Sequence, residues 1–349
     1  MSALHLLLPG SLGDLTGGTL YDRRVVEGLR AQGHRVQVHE LDPSFPLATP
    51  GALVAAEGVL AALPDGARAV VDGLACGAMP DVAARHAERL GLVALVHHPL
   101  ALETGLSAAQ AAMLRASETR ALAHARRVVV TSRSTARALA DYAVPAARIR
   151  VVEPGTDPAP AAMGRLCEAD PLQLLCVATI TPRKGHLLLL EALAALTHLD
   201  WRLACVGSLK RAPKHAAALR DCIRVLGLAS RVRLLGELSP AELDDRYARS
   251  DLFVLASLFE GYGMAYAEAL ARGLPVLGCA AGAVADTVPP EAGLLVQPGS
   301  VSALREALST LLTDAGLRHR LAAGAMRARR RLPDWSTAAA RFAAAIADV

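Results

Sequence analysis

The sequence predicts an α/β protein built as two domains, each a parallel sheet wrapped by helices, and three observations carry that prediction. Short aliphatic runs such as Ala3 to Leu8, Leu92 to Val96 and Asp251 to Ala256 alternate with longer amphipathic stretches, as strands buried on both faces require. The 349 residues exceed one ordinary core, and an apolar content of 53% suffices for two. Aromatic residues make up only 3%, which suits helices and aliphatic strands better than an aromatic-rich β-sandwich.

Taken in order, Ala3 to Leu8 is the first strand. The glycine-rich stretch Pro9 to Tyr21 follows, then a helix over Asp22 to Gln32 and a strand over Arg35 to His39. This is a βαβ unit whose loop lies at the carboxyl edge of the sheet, where open α/β folds take ligands. Gly13, Gly17 and Gly18 would admit a ligand close to the backbone, although such turns serve structure as often as binding. Next come a helix over Leu53 to Leu63, a strand over Ala69 to Asp72 and a helix over Pro80 to Leu90. The strand from Leu92 ends at His97-His98-Pro99, which puts two histidines at the same carboxyl edge. A histidine there is ordinarily a cap or a satisfied core imidazole, and Glu103, Asp141 and Asp157 are not spaced to complete a zinc site with the pair. A helix containing Glu118 spans Ser107 to Ala125, followed by a strand at Arg127 to Thr131, a helix at Ser132 to Ala140 and a strand at Ile149 to Val152. Pro154 to Gly164 breaks the pattern and is the expected linker.

The alternation restarts at Leu172 to Val177 and leads through Pro182-Arg183-Lys184-Gly185 into a helix over Leu187 to Leu196. Two cations before a helix can neutralise a diphosphate, arginine by a two-pronged contact and lysine as a point charge; the plain alternative is a solvated basic turn. Strands are expected at Trp201 to Gly207 and Arg231 to Leu235, with helices at Lys214 to Leu226 and Ser239 to Arg249. Ser239 and Glu242 have the spacing of a capping box. After Asp251 to Ala256, Gly261 and Gly263 turn the chain into a helix over Met264 to Ala271, with Glu260 before the turn and Glu268 inside the helix. The first amides of that helix attract anions, and the glutamates can accept hydrogen bonds from hydroxyls, the outline of a sugar-nucleotide site. A strand at Gly293 to Val296, a helix from Ser300 to Leu312 and an arginine-rich helical end complete the chain. The expected domains are 1–160 and 161–330, with 331–349 a terminal helix packing back on the first.

Composition excludes several function classes. A net charge of +4 without a concentrated patch or reading motif argues against nucleic acid. The six cysteines are scattered without a CxxC pair, which suits reduced thiols in the cytoplasm and neither a zinc knuckle nor a disulfide framework. The amino terminus is not expected to be a signal peptide, and no apolar stretch has the length of a membrane span. The first loop lacks the GxGxxG spacing of a dinucleotide-dependent oxidoreductase.

Gly17-Gly18, His97, Pro182-Arg183-Lys184-Gly185 and Glu260-x7-Glu268, in that order, resemble the family 4 retaining glycosyltransferases (glycosyl transferases group 1). The likeness extends over essentially the whole chain and includes Ala248 to Val254 and Glu268 to Val276. It implies the GT-B fold, two Rossmann-like domains facing each other across a cleft, with the acceptor on the first and the donor on the second. It also implies sugar transfer from a nucleotide-sugar, UDP- or GDP-linked, to a hydroxyl of a sugar or lipid-linked sugar, as in cell-envelope polysaccharide synthesis. By this resemblance Arg183 and Lys184 bind the donor diphosphate, Glu268 the ribose and Glu260 the donor sugar. Gly261, Tyr262, Gly263 and Met264 bring backbone to sugar and phosphate, His97 stands near the reacting centre, and Gly17 and Gly18 border the diphosphate. The sequence departs from the family where Pro154-Gly155-Thr156-Asp157 replaces an Asn-Gly-Val-Asp turn and where Tyr262 replaces a frequent phenylalanine. No cofactor or metal is expected, because two side-chain cations can take the place of one and no Asp-x-Asp pair accompanies the site residues. Arg23-Arg24 and Arg327 to Arg331 could touch an anionic bilayer at the inner face of the membrane. The competing readings are an epimerase of the same fold and an inactive sugar-nucleotide-binding protein.

Overall fold

A computed structural model describes residues 3–349 except 104, 166 and 168. The chain divides into two compact units, one running to Gly155 and taking up Pro333–Val349, the other Thr156–Leu332.

The first unit holds six parallel strands: β1 (Leu4–Pro9), β2 (Val36–Leu41), β3 (Arg68–Asp72), β4 (Gly91–Val96), β5 (Arg127–Val130) and β6 (Ile149–Val151). They lie in the order β2-β1-β3-β4-β5-β6. β4 and β5 are buried along their whole length, which is why they read as continuous apolar runs. The order changes direction between β1 and β3, so their carboxyl ends flank the crevice in which such sheets take ligands. The terminal helix Trp335–Ala345 lies on the helix Gly17–Ala31: a Cβ on Gly28 would stand 2.5 Å from that of Ala339, and Gln32 Nε2 donates to Ser336 O at 3.1 Å.

The helix expected from Asp22 begins five residues earlier, at Gly17. Thr16 caps it, its side chain accepting from Thr19 N at 3.1 Å, and a satisfied cap offsets the conformational cost of two glycines in the first turn. Gly17 and Gly18 are therefore helical and not part of an open loop. The helix at Pro50–Ala61 also starts earlier than its apolar pattern, because Thr49 caps it and Pro50 occupies its first turn. A one-turn helix at Gly73–Cys76, capped by Asp72, escapes periodicity because it is too short to show any.

The second unit holds β7 (Leu172–Val177), β8 (Trp201–Val206), β9 (Val232–Gly236), β10 (Leu252–Leu255), β11 (Val276–Cys279) and β12 (Gly293–Val296). Their order is β12-β11-β10-β7-β8-β9, a doubly wound sheet that changes direction between β7 and β10. Phe253 is its aromatic centre, stacked on Tyr247 at 6.4 Å and edge-on to Tyr266 at 5.5 Å. Ser239 and Glu242 form the capping box at the helix Pro240–Ala248. Among the described residues no helix is long and apolar enough to cross a membrane.

Candidate active site

The carboxyl ends of β7 and β10 place the conspicuous motifs of the second unit side by side. After β7 the chain makes one tight turn, Pro182–Lys184, and closes it at Gly185 with φ +66°. A Cβ on Gly185 would lie 2.0 Å from Ala256 O, so only glycine lets this turn touch the segment that follows β10. Leu258 N then donates to Arg183 O at 2.8 Å, and Arg183 Nη1 donates to Phe259 O at 2.9 Å.

These contacts bring two cations onto one buried carboxylate. Glu260 is 6% exposed; its Oε1 accepts from Lys184 Nζ at 2.6 Å and from Ser257 Oγ at 2.5 Å, while Arg183 Nη1 stands 3.7 Å from Oε2. Burial would push the Glu260 carboxyl up, but Lys184, Arg183 and Ser257 outweigh burial and hold it below the ordinary carboxylate range. Gly282, at φ +62°, allows the segment after β11 to close on the same residue, and Ala283 N donates to Glu260 O at 2.9 Å.

The helix Met264–Ala271 starts immediately after, from Gly263 at φ +91°, with no side-chain cap at its amino end. Tyr266 N and Ala267 N donate back to Gly263 O at 3.0 and 3.3 Å, and a helix start without a side-chain cap is a place that can take an anion. Gly261 and Tyr262 make the turn into it, and Tyr262 O accepts from Thr287 Oγ1 at 2.7 Å. Glu268 lies one turn further along; its Oε2 accepts from Tyr247 Oη at 3.0 Å. Burial pushes the Glu268 carboxyl up against the opposing effects of Tyr247 and Arg272. Arg272 lies over the Tyr247 ring at 4.2 Å and donates to Glu268 O at 3.1 Å, which fixes the pair from the far side.

The first unit gathers a separate cluster at its own switch point. His97 follows β4, and its Nε2 stands 3.2 Å from both Asp22 Oδ1 and Asp72 Oδ2. Asp72 ends β3 and uses its other oxygen to cap Leu74 N at 2.8 Å. Burial alone would lower the His97 imidazole, but Asp22 and Asp72 carry it up to about 10. Burial also pushes Asp22 up, and the neighbouring Asp72 adds to the effect. Gly18 leaves room for the ring, since a Cβ there would meet His97 Cδ2 at 3.3 Å; Gly17 faces open space. His98 points elsewhere and pairs with Glu103 at 3.2 Å. Among the described residues, Asp22, Asp72 and His97 are the one trio of His, Cys, Asp or Glu donors that lie within 4.8 Å of one another.

The model for glycosyl transferases group 1 matches residues 166–327, and that for Glycosyltransferase Family 4 matches residues 70–160. The chain belongs to this family. Among curated relatives of this glycosyltransferase family, the D-inositol 3-phosphate glycosyltransferase of Salinispora tropica is 32% identical over 60% of this chain and 48% of its own length. A GDP-mannose-dependent phosphatidylinositol monomannoside mannosyltransferase of Mycolicibacterium smegmatis is 31% identical over 54% of this chain and 53% of its own. The chain spans about half the length of the curated relatives it matches. Among solved structures, the sucrose-phosphate synthase of Thermosynechococcus elongatus superposes with a TM-score of 0.80 at 23% identity over 98% of both chains. Anabaena HepE in complex with UDP-glucose superposes at 0.76 and 19% identity, over 99% of this chain and 100% of its own. At those identities the likeness is one of fold, GT-B.

The structure therefore joins Arg183, Lys184 and Glu260 directly, sets Glu268 further along the adjoining helix, and puts His97 with Gly18 in the other unit. Four participants escape a motif reading. Ser257 stands three residues before Glu260, Tyr247 belongs to a different helix, and Asp22 and Asp72 are brought to His97 by the crossovers of the sheet. The readable signal for Asp72 was its place as the last, polar residue of an apolar strand.

Proposed function

We propose that the protein is a retaining glycosyltransferase that moves a sugar from a nucleotide-sugar to a hydroxyl acceptor. The observation that carries this reading is the convergence of Arg183, Lys184 and Glu260 at the switch point of the second unit, beside an uncapped helix start. In the transfer, the bond between the anomeric carbon and the β-phosphate oxygen breaks. The acceptor oxygen bonds to the same face of that carbon, and its proton passes to the departing phosphate. Arg183 and Lys184 meet the negative charge that grows on the diphosphate, aided by the amides of Tyr262, Gly263 and Met264. Lys184 already spends one donor on Glu260, which holds its ammonium in place and leaves two for phosphate oxygens.

In this reading Glu260 holds a donor-sugar hydroxyl and Glu268, oriented by Tyr247, the ribose. His97 serves near the transferred sugar, with Gly17 and Gly18 bordering the diphosphate. The names of the relatives support a UDP- or GDP-linked donor and an acceptor hydroxyl on a polyol phosphate or lipid-linked sugar. A lipid-linked acceptor would bring the work to the cytoplasmic face of the membrane; in this reading the first unit takes the acceptor and the second the donor.

Incubation with UDP-, GDP- and ADP-sugars, with and without inositol phosphates and lipid-linked sugars, tests the proposal. The expected result is nucleoside diphosphate release that depends on acceptor and falls at least 100-fold in Lys184→Ala, roughly the loss seen when a preorganised transition-state donor is removed. Conversion of the donor sugar without diphosphate release would replace transfer with epimerisation, and donor binding without any turnover would reduce the protein to a binding module.

A further inference from the structure

The trio in the first unit has an imbalance that bears on what His97 can offer a ligand. Asp22 is 2% and Asp72 3% exposed, and the two carboxylates share a single ring nitrogen, His97 Nε2, at 3.2 Å each. Asp72 also accepts from Leu74 N at 2.8 Å, but a buried carboxylate short of donors is costly, and two that draw on one ring nitrogen favour the form of the ring that also carries positive charge. Nε2 is thus committed inward. Among the described residues His97 Nδ1 has no partner, and the side chain is 18% exposed.

The ring has little freedom to reverse this arrangement. Tyr21 stands edge-on to it at 5.4 Å and is itself anchored, its hydroxyl donating to Val152 O at 3.0 Å. Gly18 closes another side, and the His97 carbonyl accepts from Thr131 Oγ1 at 3.1 Å and Thr135 Oγ1 at 3.4 Å. Among the described residues, the titratable groups facing the imidazole are therefore Asp22 and Tyr21 from the first helix and Asp72 from β3.

We propose that Asp22 and Asp72 are positioning residues that hold His97 as an imidazolium with Nε2–H turned inward, leaving Nδ1–H as a charged donor for a hydroxyl or phosphate oxygen of the sugar substrate. The ligand half of this inference rests on the transferase reading; the state of the ring does not. Donation by an imidazolium is stronger than by a neutral ring, and its loss would slow transfer more than it weakens donor binding.

Two measurements on the full chain keep the two halves apart. The first is nitrogen-15 spectroscopy of labelled histidine without substrate, with the His97 signals assigned by their loss in His97→Gln. Wild type is expected to show both ring nitrogens protonated from pH 6 to 8.5, whereas Asp22→Asn and Asp72→Asn bring a titration into that range. A neutral ring at pH 8 in the wild type overturns the proposal, and so does an Nε2 signal that shifts on adding chelator, which would put a cation where the proton is assigned. The second is the pH profile of kcat. Wild type should change less than twofold between pH 6.5 and 8.5, while each aspartate variant loses about tenfold per pH unit above its new midpoint. Parallel profiles in wild type and variants overturn the role toward substrate even if the spectroscopy succeeds. If no donor is turned over, the transferase reading fails by itself and the spectroscopy still decides the state of His97.

Discussion

Replacing Lys184 with methionine removes the nearer of the two cations on Glu260 while keeping an aliphatic stem of similar length. The carboxylate left behind is 6% exposed and retains Ser257 at 2.5 Å and Arg183 at 3.7 Å. Breaking a fully buried pair from one side costs about 3–5 kcal/mol. The remaining arginine and the 17% exposure of the lysine side chain bring the expectation down to about 2–3 kcal/mol. For a unit of this size that is a drop in Tm of roughly 5–10 °C, read by calorimetry without donor. The pH dependence carries a second signature. A carboxyl held low in the folded state contributes stability that is present above its unfolded pKa and lost as pH falls through its folded pKa. Lys184→Met should move that loss to higher pH. Adding Glu260→Gln to the variant should restore much of the stability, because the orphaned charge is then gone. A single variant within about 0.5 kcal/mol of wild type, or a double variant as unstable as the sum of the singles, would refute the buried-charge account.

Two further outcomes follow from the same geometry. Gly185→Ala forces a Cβ against Ala256 O at a backbone conformation of φ +66°, so the variant should lose about 3 kcal/mol or more, whereas alanine at Gly17, which faces open space, should be tolerated; chemical denaturation compares the two. Burial pushes Glu118 up to about 8, its Oε2 accepts only from Leu100 N at 2.9 Å, and its Oε1 has no hydrogen-bond partner among the described residues. The unfolded chain releases this proton near pH 4 and the folded chain near pH 8, so stability falls as pH rises through that window. Glu118→Gln should remove the slope and gain about 1–3 kcal/mol at pH 8, read from denaturation midpoints across pH.

Much of this arrangement is legible in the sequence because parallel strands buried on both faces announce themselves as short aliphatic runs. The strand at Leu172–Val177 coincides with its expected bounds for that reason; the edge strand Gly293–Val296 does so with only its first residue buried, and the helix Met264–Ala271 because Gly263 marks its start. Helix starts are less legible, as Gly17–Ala31 shows: the cap at Thr16 decides the boundary, and a pattern weighted by hydrophobicity passes over it. Of the candidate site, the charged motifs stand out because their residue types and spacing carry the chemistry. Their mutual contacts do not, since Lys184 and Glu260 are 76 positions apart and meet only because β7 and β10 are neighbours at the switch point. Asp22 and Asp72 were hidden for the same reason. Nothing local in Tyr21-Asp22 or Val71-Asp72 tells that two crossovers deliver both carboxylates to one imidazole.

The central claim, that the second unit holds a nucleotide-sugar between the Arg183-Lys184 turn and the helix carrying Glu268, is tested most directly by isothermal titration of UDP- and GDP-sugars into wild type and Glu268→Ala. The account predicts one site per chain with at least one of these donors, weakened about tenfold or more in the variant, because removing one partner of a hydrogen bond to a charged group costs about 1.5–3 kcal/mol. Unchanged affinity in Glu268→Ala, or no binding of any nucleotide-sugar by the wild type, would contradict it.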